Sequence, residues 1–241
     1  MFNGKTYWIV GASEGLGRAL AKSLSNEGAK LVVSARSEQR LKSLAGELPN
    51  ARCVVMDVCD KNSVELASQQ VGEIDGLIYC AGAYDPIGAL DWQNDKVLRM
   101  ADVNFQGALR VLGEVMPSFS ARKAGHIVLI GSLAGFSGLP QAVGYGASKS
   151  ALMHLAENIK ADVARTDIQV QVVNPGFIKT RLTDKNDFDM PSIMEPDQAA
   201  TAVVNAMKSG RFSTSFPRPF SWIFKLSRFV PLSLFHRIVV R

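Results

Sequence analysis

At 241 residues, with 47% hydrophobic and 20% charged residues, the chain has the size and composition of one folded α/β unit and carries no biased tract of the kind that stays disordered. Its net charge of +5 is concentrated at one end: six of the 27 Lys/Arg fall in residues 211–241, where no Asp/Glu occurs, leaving 21 basic against 22 acidic residues before them. This argues against a nucleic-acid partner for the body of the chain, and three scattered Cys and three scattered His argue against a metal site or a disulfide framework.

The first apolar run, over residues 6–10, starts almost at once and leaves no room for a signal peptide before it, and no later run reaches the length of a membrane span. The sparse, odd cysteine count suits a reducing compartment, so a cytoplasmic location is expected. After this strand comes Gly11-Ala12-Ser13-Glu14-Gly15-Leu16-Gly17, opening a helix over 15–27. Glycines let the backbone turn tightly and approach a pyrophosphate, and the unpaired N–H groups of a helix start donate to it. The G-x-x-x-G-x-G spacing differs from the commoner G-x-G-x-x-G of dinucleotide folds, and a plain glycine-rich turn is the competing reading.

A second strand, over 30–34, runs into Ala35-Arg36-Ser37. Folds that prefer NAD place an acid here for the ribose 2′-hydroxyl. A guanidinium instead pairs with a 2′-phosphate through two parallel hydrogen bonds, so Arg36 points to NADP(H) over NAD(H). Further strands are read over 53–56, 74–79, 126–130 and 168–173, with helices over 61–71 and 145–164. Repeated βα units with nearly continuous apolar strands indicate a doubly wound parallel sheet, a Rossmann-like α/β fold, in which ligands bind beyond the carboxyl ends of the strands.

The remaining motifs fall at those strand ends. Ser132 follows the fifth strand, in Gly131-Ser132-Leu133, where its hydroxyl could reach a substrate oxygen. Tyr145 and Lys149 stand four residues apart, on one face of a helix, so that the ammonium is expected to lower the phenol from its free value of about 10. Cys80, after the fourth strand, reads as a small buried side chain in preference to a reactive thiol.

Taken together, these motifs resemble the short-chain dehydrogenase/reductase family over about residues 4–210. The resemblance implies a tetrad of Asn104, Ser132, Tyr145 and Lys149: Ser132 polarising a carbonyl, Tyr145 exchanging its proton, Lys149 holding the nicotinamide ribose, and Asn104 holding a water in a proton relay. It places the nucleotide on Gly11, Ser13, Glu14, Gly15, Leu16 and Gly17, on Asp57-Val58 at the adenine, on Ala81 and Gly82, and on Asn104, Tyr145 and Lys149. Asn174-Pro175-Gly176 with Ile178 would lie along the nicotinamide, and Thr180 would offer a hydroxyl to the carboxamide or pyrophosphate. One departure stands out: Tyr79-Cys80-Ala81-Gly82 replaces the family's Asn-Asn-Ala-Gly, which puts the bracing of that strand end in doubt. The implied activity is hydride transfer between a nicotinamide and a carbonyl or alcohol, with a homodimer or homotetramer assembled through the helices carrying Asn104 and Tyr145. A nucleotide-binding regulator or a membrane-surface interaction protein, neither with turnover, is the alternative.

The substrate is expected to meet residues 181–196, where Leu182, Phe188, Met190, Ile193 and Met194 are compatible with a hydrophobic ketone or with a lid packed on its own domain. A domain over 1–216, ending in an edge strand at 212–216, is followed by a basic, aromatic-rich tail over 217–241 broken at Pro231. There Ser221, Lys225 and Arg228, and again Ser233, Arg237 and Arg241, form a polar stripe at helical spacing. Such a helix either contacts an anionic membrane peripherally or packs on the domain or a partner subunit.

Overall fold

The structure, a computed structural model, describes residues 1–239. Its first three strands are β1 (Thr6–Val10), β2 (Lys30–Ala35) and β3 (Ala51–Val55), alternating with α1 (Gly15–Asn26), α2 (Glu38–Gly46) and α3 (Lys61–Val71). Then come β4 (Gly76–Tyr79), α4 (Asn94–Ala101), α5 (Gly107–Arg122), β5 (Ala124–Ile130), α6 (Val143–Asp162), β6 (Asp167–Pro175), α7 (Pro196–Lys208) and β7 (Ser213–Phe216). The strands form one sheet in the order β3-β2-β1-β4-β5-β6-β7, with every pairing parallel. This is the Rossmann-like architecture expected from the alternating apolar runs. The third strand lies slightly earlier than the 53–56 expected, and the sixth extends through Asn174 and Pro175, which pair with Ser215 and Phe216 of β7. That extension depends on β7 and so could not be read from the local pattern.

Side chains alternate across the strands and divide the core into two layers. Trp8 and Val10 of β1, with Leu77 and Tyr79 of β4, pack under α3, α5 and α6. Tyr7 and Ile9, with Ile78, pack under α1, α2 and α7 on the other side. The second layer holds a buried polar chain. Gln171 Nε2 donates to the carbonyls of Ala206 and Arg211, so its Oε1 faces His126 Nε2 at 2.7 Å. His126 Nε2 must therefore carry the ring proton, and Nδ1 accepts from the Tyr7 hydroxyl at 2.9 Å.

Burial holds His126 below its ordinary value, against the opposing hydrogen bond to Gln171. An unfolded histidine takes up a proton as the pH drops through about 6.5, whereas the native ring resists it, so stability is complete above that value and is lost below it. Urea midpoints measured between pH 7 and pH 5.5 should fall with decreasing pH, the free energy changing by at most about 1.4 kcal/mol per pH unit. A midpoint that stays constant across this window would contradict a buried neutral His126.

After β7 the chain forms α8 (Phe220–Leu226), a 3-10 turn (Ser227–Phe229) and, beyond Pro231, α9 (Leu232–Val239). Phe224 and Phe235 are buried against Leu133, with Phe136, Leu139 and Phe220 around them. The expected polar stripe is corrected here. Ser221 does not face solvent: it shares the inner side of the turns with Phe224 and Ser227, at three-residue spacing, and burying Phe224 carries both serines inward. Each finds a partner, Ser221 donating to the Ser215 carbonyl and Ser227 to the Phe224 carbonyl, while Ser137 donates to Ser227 at 2.6 Å. Lys225 and Arg228 remain accessible, the Arg228 guanidinium lying 4.9 Å from the Phe136 ring centroid. Arg241, the end of the second stripe, lies outside the described residues.

Candidate active site

Two glycines bring the nucleotide end of the site together. Gly11 has φ +91°, and a Cβ there would sit 2.5 Å from the Ala81 backbone nitrogen, so the turn after β1 requires both a left-handed backbone and close approach to the end of β4. A Cβ on Gly17 would lie 2.1 Å from the Gly11 carbonyl oxygen, which presses the first turn of α1 directly onto the loop. Gly15, Leu16 and Gly17 form that first turn and line a cleft of about 780 Å³, and as the first residues of a helix their N–H groups have no intrahelical acceptors.

This cleft runs along the carboxyl ends of the strands. It is lined by Gly11, Ser13, Glu14, Asp57, Val58, Ala81, Gly82 and Tyr145. Arg36, Lys149, Pro175, Gly176, Ile178 and Thr180 line it as well. Arg36 is exposed and forms no side-chain hydrogen bond or ion pair among the described residues. Glu14 is engaged differently: its carboxylate pairs with Arg40 at 2.7 Å and with Arg181, joining α2, the glycine loop and the segment after β6. Sequence reasoning missed Arg40 and Arg181. Arg40 carried a usable signal, since it lies one helical turn beyond Arg36, but the pairing with Glu14 is a contact across the cleft with no local trace.

At the other end, Tyr145 and Lys149 project from one side of α6, with Lys149 Nζ 5.9 Å from the Tyr145 ring centroid and donating to the Ile130 carbonyl at 2.8 Å. Ser132 caps the 3-10 turn Leu133–Gly135 after β5, its Oγ accepting from the Ala134 N–H at 3.1 Å. Burial raises the Tyr145 phenol above its ordinary value; the adjacent Ser132 hydroxyl opposes this, and the Cys80 thiol adds to it. The expected lowering by Lys149 is therefore corrected: desolvation dominates, and burial also brings the lysine itself down to about 8. At neutral pH the phenol holds its proton. Burial likewise pushes the Cys80 thiol up to about 11, which fits a small buried side chain and not a reactive thiolate.

Asn104 and Ser132 stand behind the cleft wall. Asn104 is fully buried in a π-helical turn, Asp102–Gln106, between α4 and α5. Its Oδ1 accepts from the Ala83 N–H at 2.7 Å, and its Nδ2 donates to the Ala83 carbonyl and to Ser148 Oγ, both at 2.9 Å. Ser148 in turn donates to the Tyr145 carbonyl at 2.8 Å. Asn104 thus ties the segment after β4 to the first turns of α6, and of its side-chain atoms Oδ1 alone has hydrogen-bonding capacity left. The bracing in question at Tyr79-Cys80 is present in another form, because the Tyr79 hydroxyl donates to the Val103 carbonyl at 2.6 Å inside the same π turn.

Over Tyr145 lies a further residue that the sequence did not single out. The Tyr84 ring meets that of Tyr145 edge-on at 4.9 Å between centroids, and its hydroxyl donates to Asn186 Oδ1 at 2.6 Å. Lys185 donates to the Tyr84 carbonyl and to Asp85 Oδ1, both at 2.7 Å. The segment expected to meet substrate is therefore tethered above the phenol. Of its apolar residues Leu182 lines the cleft, while Phe188 and Ile193 are exposed.

The doubly wound sheet, the glycine cradle and the Ser, Tyr and Lys grouped at the strand ends define a nucleotide-dependent oxidoreductase. A family model described as short chain dehydrogenase matches residues 5–190, and the chain belongs to that family. An uncharacterized oxidoreductase of Staphylococcus epidermidis is 33% identical over 204 residues, 83% of this chain and 89% of that protein. One from Myxococcus xanthus is 31% identical over 239 residues, 96% and 94% of the two chains. A solved short-chain dehydrogenase from Sphingobium yanoikuyae, in complex with NADPH, superposes with a TM-score of 0.83 at 25% identity, covering 98% of this chain and 95% of that one.

Proposed function

We propose that this oxidoreductase uses NADP(H) to interconvert a hydrophobic ketone and its alcohol, with Tyr145 as the proton donor or acceptor. The observation that carries the reading is the pairing of Tyr145 and Lys149 at one end of a cleft, with the Ser132 hydroxyl adjacent to the phenol, while the other end holds the glycine loop and an unengaged Arg36. The cradle fits a dinucleotide: added side chains at Gly11 and Gly17 would collide with backbone, and the first turn of α1 offers N–H groups to a pyrophosphate. When bound, the reduced nicotinamide supplies a hydride to the carbonyl carbon.

The protein's part is to place and protonate the carbonyl. Ser132 donates a hydrogen bond to its oxygen, and Tyr145, kept protonated by burial, transfers its proton to that oxygen as the negative charge develops. Lys149 holds the nicotinamide ribose and stabilises the phenolate left behind; Asn104 fixes α6 against the end of β4. Arg36 takes the 2′-phosphate, and Asp57 with Val58 lies at the adenine. Leu182 and Tyr84 give the substrate side its apolar character. A homodimer or homotetramer through α5 and α6 accompanies this reading, with Leu98 and Leu109 exposed on α4 and α5.

The test is NADPH oxidation measured against ketones graded by chain length. Catalytic efficiency should rise with each added methylene, by up to about fourfold where the group is fully buried, and NADPH should be preferred to NADH. Efficiency independent of chain length would reject the hydrophobic-ketone assignment.

A further inference from the structure

We propose that the outer side of α8, the turn after it and α9 is a docking surface for an anionic lipid bilayer. The inference does not depend on the cofactor or substrate assigned above. The inner side of these elements is consumed by packing on the loop after Ser132, through Phe224 and Phe235 on Leu133. The outer side is apolar and uncovered: Trp222 is 52% exposed, Leu226 61% and Phe229 85%, and Ile223, Leu232 and Leu234 are exposed with them. On α8 the positions 222, 223 and 226 fall within about a 100° arc, opposite Ser221 and Phe224, so the exposed apolar side chains form one ridge.

Charge selects the occupant. No Asp or Glu occurs after Asp197, while Arg218, Lys225 and Arg237 flank the ridge without an ion-pair partner among the described residues. A second copy of the chain docked on the same surface about a two-fold axis would set these cations against one another. An anionic bilayer accepts both features at once, the apolar ridge entering the boundary between headgroups and acyl chains and the cations meeting phosphates and carboxylates. Trp222 has the amphipathic ring suited to that depth. Among the described residues no helix is long and apolar enough to cross a membrane, so the contact is with the surface. It would set the bilayer on the side of the molecule that carries Ser132.

Flotation of the full-length protein with vesicles tests this, using phosphatidylcholine alone or mixed with phosphatidylserine. The wild type should rise with the mixed vesicles at low salt and bind at least about tenfold less to phosphatidylcholine alone, since three cations near the surface contribute about 1 kcal/mol each. The double variant L226E/F229E changes two exposed side chains; it should keep the wild-type circular dichroism and thermal midpoint yet remain unbound. The proposal is overturned if the wild type stays unbound with both vesicle types, or if L226E/F229E floats as the wild type does. It is equally overturned if the wild type binds no vesicle and L226E/F229E lowers its oligomeric state, which would make the ridge a self-association face.

Discussion

Tyr145→Phe should leave a protein that folds and binds NADPH but turns over ketone about 10²- to 10⁴-fold more slowly, the range associated with removing a positioned general acid. The substitution takes away one hydroxyl and leaves the ring, which keeps its edge-on contact with Tyr84 at 4.9 Å and its place on α6 beside Lys149. Lys149 donates to the Ile130 carbonyl, and the Tyr84 hydroxyl is directed to Asn186. The measurement pairs single-turnover NADPH oxidation with nucleotide binding followed by fluorescence. Turnover retained within a few-fold of wild type would remove Tyr145 from the chemistry, while loss of binding would assign it to holding the nucleotide.

The second large effect concerns Arg36. Arg36→Asp should lower catalytic efficiency with NADPH by about 10- to 100-fold, the equivalent of a lost charge-assisted hydrogen bond together with repulsion of a 2′-phosphate, and should leave NADH use unchanged or improved. Arg36 is free to engage a ligand, whereas its neighbour Arg40 is already paired with Glu14 at 2.7 Å, so Arg40→Ala should have the smaller effect. The ratio of efficiencies for the two nucleotides reads the outcome directly. A wild type that prefers NADH, or a ratio unmoved by Arg36→Asp, would refute the 2′-phosphate assignment.

The same two arginines show how far the sequence could be read. The place of Arg36 in the cleft was legible because it follows a recognisable strand by one residue, and strand ends in a parallel sheet face the ligand site. Glu14 was read as a nucleotide contact from its place in the glycine loop, but its carboxylate is taken by Arg40 and Arg181, residues 26 and 167 positions away. Tyr79 stands where the family has an amide brace; its hydroxyl reaches the Val103 carbonyl in the π turn, a partner 24 residues away with no local trace. In the tail, helical spacing correctly indicated two-sidedness, but spacing assigns no side to a serine, and the burial of Phe224 turned Ser221 inward.

By itself, then, the sequence determined the order of βα units, the glycine loop, and the pairing of Tyr145 with Lys149 on one face of α6. All of these follow from chain geometry over a few residues: the period of a strand, the pitch of a helix, the backbone freedom of glycine. Only the tertiary structure decided that the Tyr145 phenol is raised and not lowered, that Asn104 spends both amide hydrogens on Ala83 and Ser148, and that the tail closes over Leu133 while leaving an apolar ridge outside. Desolvation and hydrogen-bond satisfaction depend on which groups meet across the fold, and those meetings join residues far apart along the chain.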